Sequence, residues 1–174
     1  MELKEIKQQF FTYRNGMLAD RLREAGDCHH VIFGLNLPQI VDIACMAGND
    51  KALAEQLWAN DTTRESRLIA PMIYPRELMT IETAREWIEA VENTEVADIV
   101  CHRLLRYLDF AWELCEEYAG AASDVQRYVA LRLALNLDVL GRIDDRDALR
   151  LIAEREQERE CALTAPLVAS LLED

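Results

Sequence analysis

Positive charge, and lysine above all, is what this sequence has least of. Three lysines, all before residue 52, and sixteen arginines face thirty-two acidic side chains, leaving a formal net charge of −13 over 174 residues. Proteins that grip duplex DNA gain most of their affinity by neutralising phosphates. So acidic a balance excludes a uniformly basic coat and demands that any such contact come from a local strip. Arg64, Arg67, Arg76, Arg85, Arg103 and Arg106 crowd the middle of the chain and are the material for one. Glycine and proline are also scarce, at six and four, which excludes linkers and low-complexity segments and leaves one folded domain over residues 1–174 as the expectation. A chain of this length buries roughly 70% of the surface its unfolded form exposes, enough for one core.

No CxxC pair is present. Five cysteines, Cys28, Cys45, Cys101, Cys115 and Cys161, are scattered through the chain, which argues for reduced thiols in a cytoplasmic setting rather than a disulfide framework. Cys28, His29 and His30, with His102 beside Cys101, are potential ligands, but adjacent loop residues rarely converge on a metal without a second spaced pair, so no metal and no cofactor is expected. Long apolar runs are missing too. The best, VALRLALNLDVL at 129–140, is interrupted by Arg132, Asn136 and Asp138, and MELKEIKQQF lacks the apolar centre of an export signal. Neither membrane insertion nor export is expected.

What the sequence does have is helical periodicity. Leu3, Ile6, Phe10, Tyr13 and Met17 recur at three- and four-residue spacing and predict one amphipathic helix to about Gly26. After a break at AGDCHHVIFG, Pro38 opens a helix that Gly48 and Asn49 end, and KALAEQLWAN follows. Further helices are predicted over 63–74, stopped by Pro75; from a Thr80 cap; from Asn93 or Thr94 through EVADIVCHRLLRYL; over FAWELCEEYAG; from a Ser123–Gln126 capping box to Gly141; over 144–160; and over 164–172. No stretch alternates with period two, so no sheet is expected. RESRLIAPMI at 64, VADIVCHRLL at 96 and VQRYVALRLA at 125 set polar residues ahead of or among an apolar run, about 30 residues apart, which suggests tandem helical pairs. Trp58, Trp87 and Trp112 recur near that spacing and read as packing residues. Periodicity alone leaves a helical bundle equally open.

Residues 34–105 carry a more particular pattern. Leu57-Trp58 ends one helix, Glu65 and Arg67 open the next, Pro75 closes it, Trp87 falls late in the following helix, and Asp98 comes soon after. In order and spacing this stretch resembles the HEAT-like DNA alkylation repair family, whose best-known members are alkylpurine DNA glycosylases; the likeness continues more faintly through 112–140. The resemblance implies an all-α fold, an α-α superhelix of HEAT-like helical repeats whose concave face cradles duplex DNA carrying alkylated bases. It implies Asp98 as the carboxylate that stabilises the oxocarbenium-like charge during base loss, or positions the attacking water. It implies Arg127 on a phosphate, with Arg64, Arg103 and Arg106 as further DNA contacts. The family's aromatic, four residues before the aspartate, is Thr94 here, and no aromatic follows Tyr128. These departures, with the −13 charge, favour a non-catalytic helical-repeat scaffold that binds a protein or another ligand on its concave face. Glu65 and Arg67 are expected to tie one helix to its neighbour, leaving Arg64 free to meet a ligand. Taken alone, Asp98 reads equally as a carboxylate at a helix N-terminus, and Arg127 as a solvated helix charge.

Overall fold

The computed structural model describes residues 1–173, and among them eleven α-helices and two short 3-10 turns make up the regular structure. Packing gathers the chain into two compact units, Met1–Met79 and Thr80–Asp174. Among the described residues, no helix is long and apolar enough to cross a membrane.

The first unit holds α1 (Leu3–Tyr13), α2 (Gly16–Glu24), α3 (Leu37–Ala47), α4 (Lys51–Trp58) and α5 (Arg64–Ile73). The single N-terminal helix expected from periodicity is in fact two, α1 and α2. The apolar spacing runs on past Tyr13, but Asn15 turns its side chain back to accept the Leu18 amide at 3.1 Å, starting a new helix. Its own amide donates to the Phe33 carbonyl at 2.8 Å. Only a glycine fits opposite: Gly34 has φ +80°, and a Cβ there would stand 2.1 Å from the Asn15 carbonyl oxygen. Asn36 caps α3, with Pro38 in its first turn as expected, and Asp50 caps α4. Ile6, Phe10, Leu35, Ile40, Ile43, Leu57, Leu68 and Ile69 are buried completely or nearly so and form this unit's core. Truncating any one of the leucines to Ala costs about 2–5 kcal/mol.

The second unit holds α6 (Ile81–Glu89), α7 (Thr94–Arg103), α8 (Ala111–Tyr118), α9 (Asp124–Val139), α10 (Arg146–Gln157) and α11 (Ala165–Leu172). Thr80, Asn93, Ser123 and Asp145 accept the capping amides of α6, α7, α9 and α10. The helix expected to run through Leu108 stops at Arg103, and a 3-10 turn over Leu105–Tyr107 carries the chain toward α8. The sixteen-residue α9 is the centre of the unit, packed by α7 and α8 and also by α11. That position exposes its polar residues to several partners.

Candidate nucleic-acid interface

The charged opening of α5 lies inside the first unit. Glu65 has no exposed surface, and its carboxylate accepts the amides of Phe33, Gly34 and Leu35 at 3.1, 3.0 and 3.3 Å. It ties the loop before α3 to α5, and Val31 bridges to Thr63 alongside. Arg67 donates to the Trp58 carbonyl at 2.7 Å and lies over that indole, 3.5 Å from the ring centre. Both behave as the expected helix-to-neighbour ties.

Arg64 does not stay free. It is 4% exposed and donates to the Leu35 carbonyl and to Glu65, each at 3.1 Å, with Asp27 3.6 Å from its Nε. An ion this deep needs such partners, because desolvation would otherwise cost several kcal/mol. Asp27 in turn accepts the His29 ring at 2.6 Å. The ligand atoms of Asp27, Cys28 and His29 come within 4.8 Å of one another, but the guanidinium beside Asp27 opposes a second cation there.

Arg127 is likewise interior, 5% exposed, rather than a solvated helix charge. Its Nε lies 3.1 and 3.0 Å from the two Glu156 oxygens, and its other nitrogens donate to the carbonyls of Ala121 and Ala122 and to Asp124. Thr164 completes the Glu156 shell at 2.8 Å. Burial would lower the Arg127 pKa, but the hydrogen bonds to Asp124 and Glu156 outweigh it and hold the pKa above the ordinary value. This cluster joins α9 to α10 and to the start of α11.

Asp98 stands apart from these. It sits in the second turn of α7 with its side chain 37% exposed, and two residues of α9 converge on its Oδ1: the Tyr128 hydroxyl donates at 2.9 Å and Arg132 Nε lies 3.0 Å away. Burial, then the negative charge of Asp98 and the hydrogen bond to it, push the Tyr128 phenol up to about 12. Tyr128 and Arg132 are four residues apart and so share a face of α9. They are the functional candidates missed in the sequence, because only the packing of α9 on α7 aligns that face with Asp98.

Around this pair the local charge is positive. His102 is held below its ordinary pKa by burial and by Arg106, Arg103 and Arg132, with Asp98 acting weakly the other way. Arg103 and Arg106 are half-buried. Arg106 lies 4.8 Å from the Tyr107 ring and donates to its hydroxyl at 2.6 Å, while its buried Nε has no hydrogen-bond acceptor among the described residues. Arg142 donates to the carbonyls of Arg106 and Leu108 and fixes the turn that presents Arg106. Thr94, where the aromatic was expected, opens α7 and is half-buried, one residue after the Asn93 cap. Of the residues proposed from the sequence, the fold thus brings Asp98, Arg103 and Arg106 into one neighbourhood, directs Arg127 to Glu156, and holds Arg64 within the first unit.

A family model described as DNA alkylation repair enzyme matches residues 6–160. No curated protein sequence matches significantly. Among solved structures, one described as a new family of proteins related to the HEAT-like repeat DNA glycosylases, with affinity for branched DNA structures, superposes with a TM-score of 0.84 at 15% identity, over 99% of this chain and 74% of that one. At that identity the likeness establishes the fold, an all-α HEAT-like helical repeat, and the family model establishes the lineage: this chain belongs to the DNA alkylation repair family.

Proposed function

We propose that this protein binds DNA through the cationic group beside Asp98, with Arg103 and Arg106 meeting backbone phosphates while Arg132 stays on Asp98, and that binding rather than base excision is its main activity. The observation that carries this reading is the state of Asp98. Its Oδ1 is shared by a phenol and a guanidinium, so the Arg132 charge offsets the field that would stabilise a developing oxocarbenium ion. Thr94 beside it cannot stack on a cationic base. A phosphate fits the same place well, since a guanidinium fork holds one through two parallel hydrogen bonds. Membership of the family and the branched-DNA affinity of the structural neighbour point to the same ligand class.

A second reading, excision of alkylated purines, is favoured by one feature: Asp98 stays partly exposed and both of its α9 partners meet Oδ1, so drawing Arg132 onto a phosphate would release a competent carboxylate. The two readings separate on one experiment, release of free base from duplex DNA carrying a methylated purine at low salt, beside binding of the same duplex. Salt-sensitive binding without release supports the first; release abolished in Asp98→Asn establishes the second. Neither binding nor release would remove DNA as the ligand and return the search to protein partners.

A further inference from the structure

The first unit carries a feature that the Asp98 site does not use. In α1, Lys4, Lys7 and Phe11 follow one another at three- and four-residue spacing and therefore share a face, and Arg14 comes directly past the helix end. All four are exposed, Phe11 at 59%. Two of the protein's three lysines stand here. Among the described residues Lys4, Lys7 and Arg14 have no ion pair, whereas Lys51 is paired with Glu55. The acidic residues of this helix are sorted elsewhere: the Glu5 carboxylate turns back to accept the Glu2 amide at 2.6 Å in a capping box. In a chain of net charge −13, an unpaired basic stripe with a large exposed aromatic at its centre calls for an anionic partner with a flat face.

The aromatic is also backed by other rings. Phe11 packs on Phe33 with ring centres 4.9 Å apart and planes at 78°, and Phe33 packs on buried Phe10 at 5.5 Å. The Phe33 backbone is fixed at both ends, its amide to Glu65 and its carbonyl to the Asn15 amide. A ring backed in this way has less freedom to lose on binding than one standing alone, which suits a stacking platform.

We infer that this face is a second DNA contact, one that takes unpaired bases: Phe11 stacks on an extruded base while Lys4, Lys7 and Arg14 hold the flanking phosphates. Stacking on an aromatic and neutralising phosphates on either side is the recurring means of holding single-stranded nucleic acid, because every base has a π-face. The inference rests on the reading of this protein as a DNA binder and adds to it a preference for forks and branches over blunt duplex.

The test compares a blunt duplex with a forked duplex carrying 2-aminopurine at its first unpaired position, using the full-length protein. Wild type is expected to bind the fork more tightly and to quench the 2-aminopurine. Phe11→Ala is expected to lose that quenching and roughly tenfold in fork affinity, while blunt-duplex binding holds; Phe11→Trp should restore both. The triple variant Lys4→Gln, Lys7→Gln, Arg14→Gln should lower the salt slope for the fork by about 2, at about 0.7 for each single-strand phosphate. Fork binding and quenching unchanged in Phe11→Ala, with duplex binding still dependent on Arg103 and Arg106, would overturn this inference and leave the proposed function standing. A change of sedimenting mass in Phe11→Ala without a change in fork binding would assign the face to a second copy of the chain and overturn it too. No binding to either DNA would bring down both.

Discussion

The opening of α5 and the neighbourhood of Asp98 use the same residue types to opposite ends. In the first, Arg64, Glu65 and Arg67 are sealed and each charge meets a partner: Glu65 takes three backbone amides, Arg67 a carbonyl and an indole, Arg64 a carbonyl and carboxylates. In the second, Asp98, Arg103, Arg106 and Arg132 remain partly open to solvent. Burial, not residue identity, separates a charge that holds the fold from one available to a ligand. A sealed ion whose partner is removed loses several kcal/mol, whereas a half-exposed one is re-solvated at little cost.

The contrast can be broken deliberately. The largest effect is expected at Glu65: Glu65→Ala leaves three backbone amides and Arg64 without this acceptor, and urea unfolding should show a loss of about 3–5 kcal/mol. A loss of less than about 1 kcal/mol would show that water replaces the carboxylate. Next, Arg127→Met leaves Glu156 only the Thr164 hydroxyl and the more distant Arg159 and should cost about 3 kcal/mol, much of it recovered when Glu156→Leu is added, because an apolar pair fills the site without a buried charge. Equal losses in the single and double variants would show that the arginine's bonds to backbone carbonyls, not the ion pair, carry the stability.

Tyr128 offers a smaller effect with a definite sign. Its folded pKa is raised from 10.0 to about 12, so the folded state keeps a phenol proton that the unfolded chain gives up first. That contribution is complete below pH 10 and disappears as pH rises through about 12. Tyr118, also pushed up to about 12 by burial and by Glu89, adds a similar loss, so Tyr128→Phe should flatten part of the decline above pH 10 rather than all of it. An unchanged alkaline profile would mean that the Tyr128 phenol is neither buried nor held by Asp98 in solution. The smallest effect is expected at Arg103→Gln with Arg106→Gln, where thermal unfolding should move by about 1 kcal/mol or less.

How much of this is readable from residue order follows the range of the interactions. The caps at Thr80 and Ser123 and the stop at Gly141 are local chemistry and stand in the sequence plainly. The break at Asn15 is local as well, but the apolar spacing runs through it, and what decides it is the close approach of Gly34, nineteen positions on. Glu65 and Arg67 can be assigned to packing because the repeat pattern places them, yet the same logic leaves Arg64 outside. Its partners, Leu35 and Asp27, lie in an irregular loop whose path no periodicity describes. Asp98 stands out through the family resemblance, while Tyr128 and Arg132 do not, since their role depends on which face of α9 packs on α7. Arg127 carries the same lesson in reverse: its place in the family pattern suggests a phosphate, and its surroundings supply Glu156 instead.

If the half-open arginines beside Asp98 meet DNA, duplex binding must carry their share of its salt dependence. Wild type and the Arg103→Gln, Arg106→Gln variant should give straight lines of log affinity against log salt. The variant's slope should be shallower by about 1.8, at about 0.9 for each phosphate that is no longer neutralised. Identical slopes in two equally folded proteins would mean that Arg103 and Arg106 do not meet DNA.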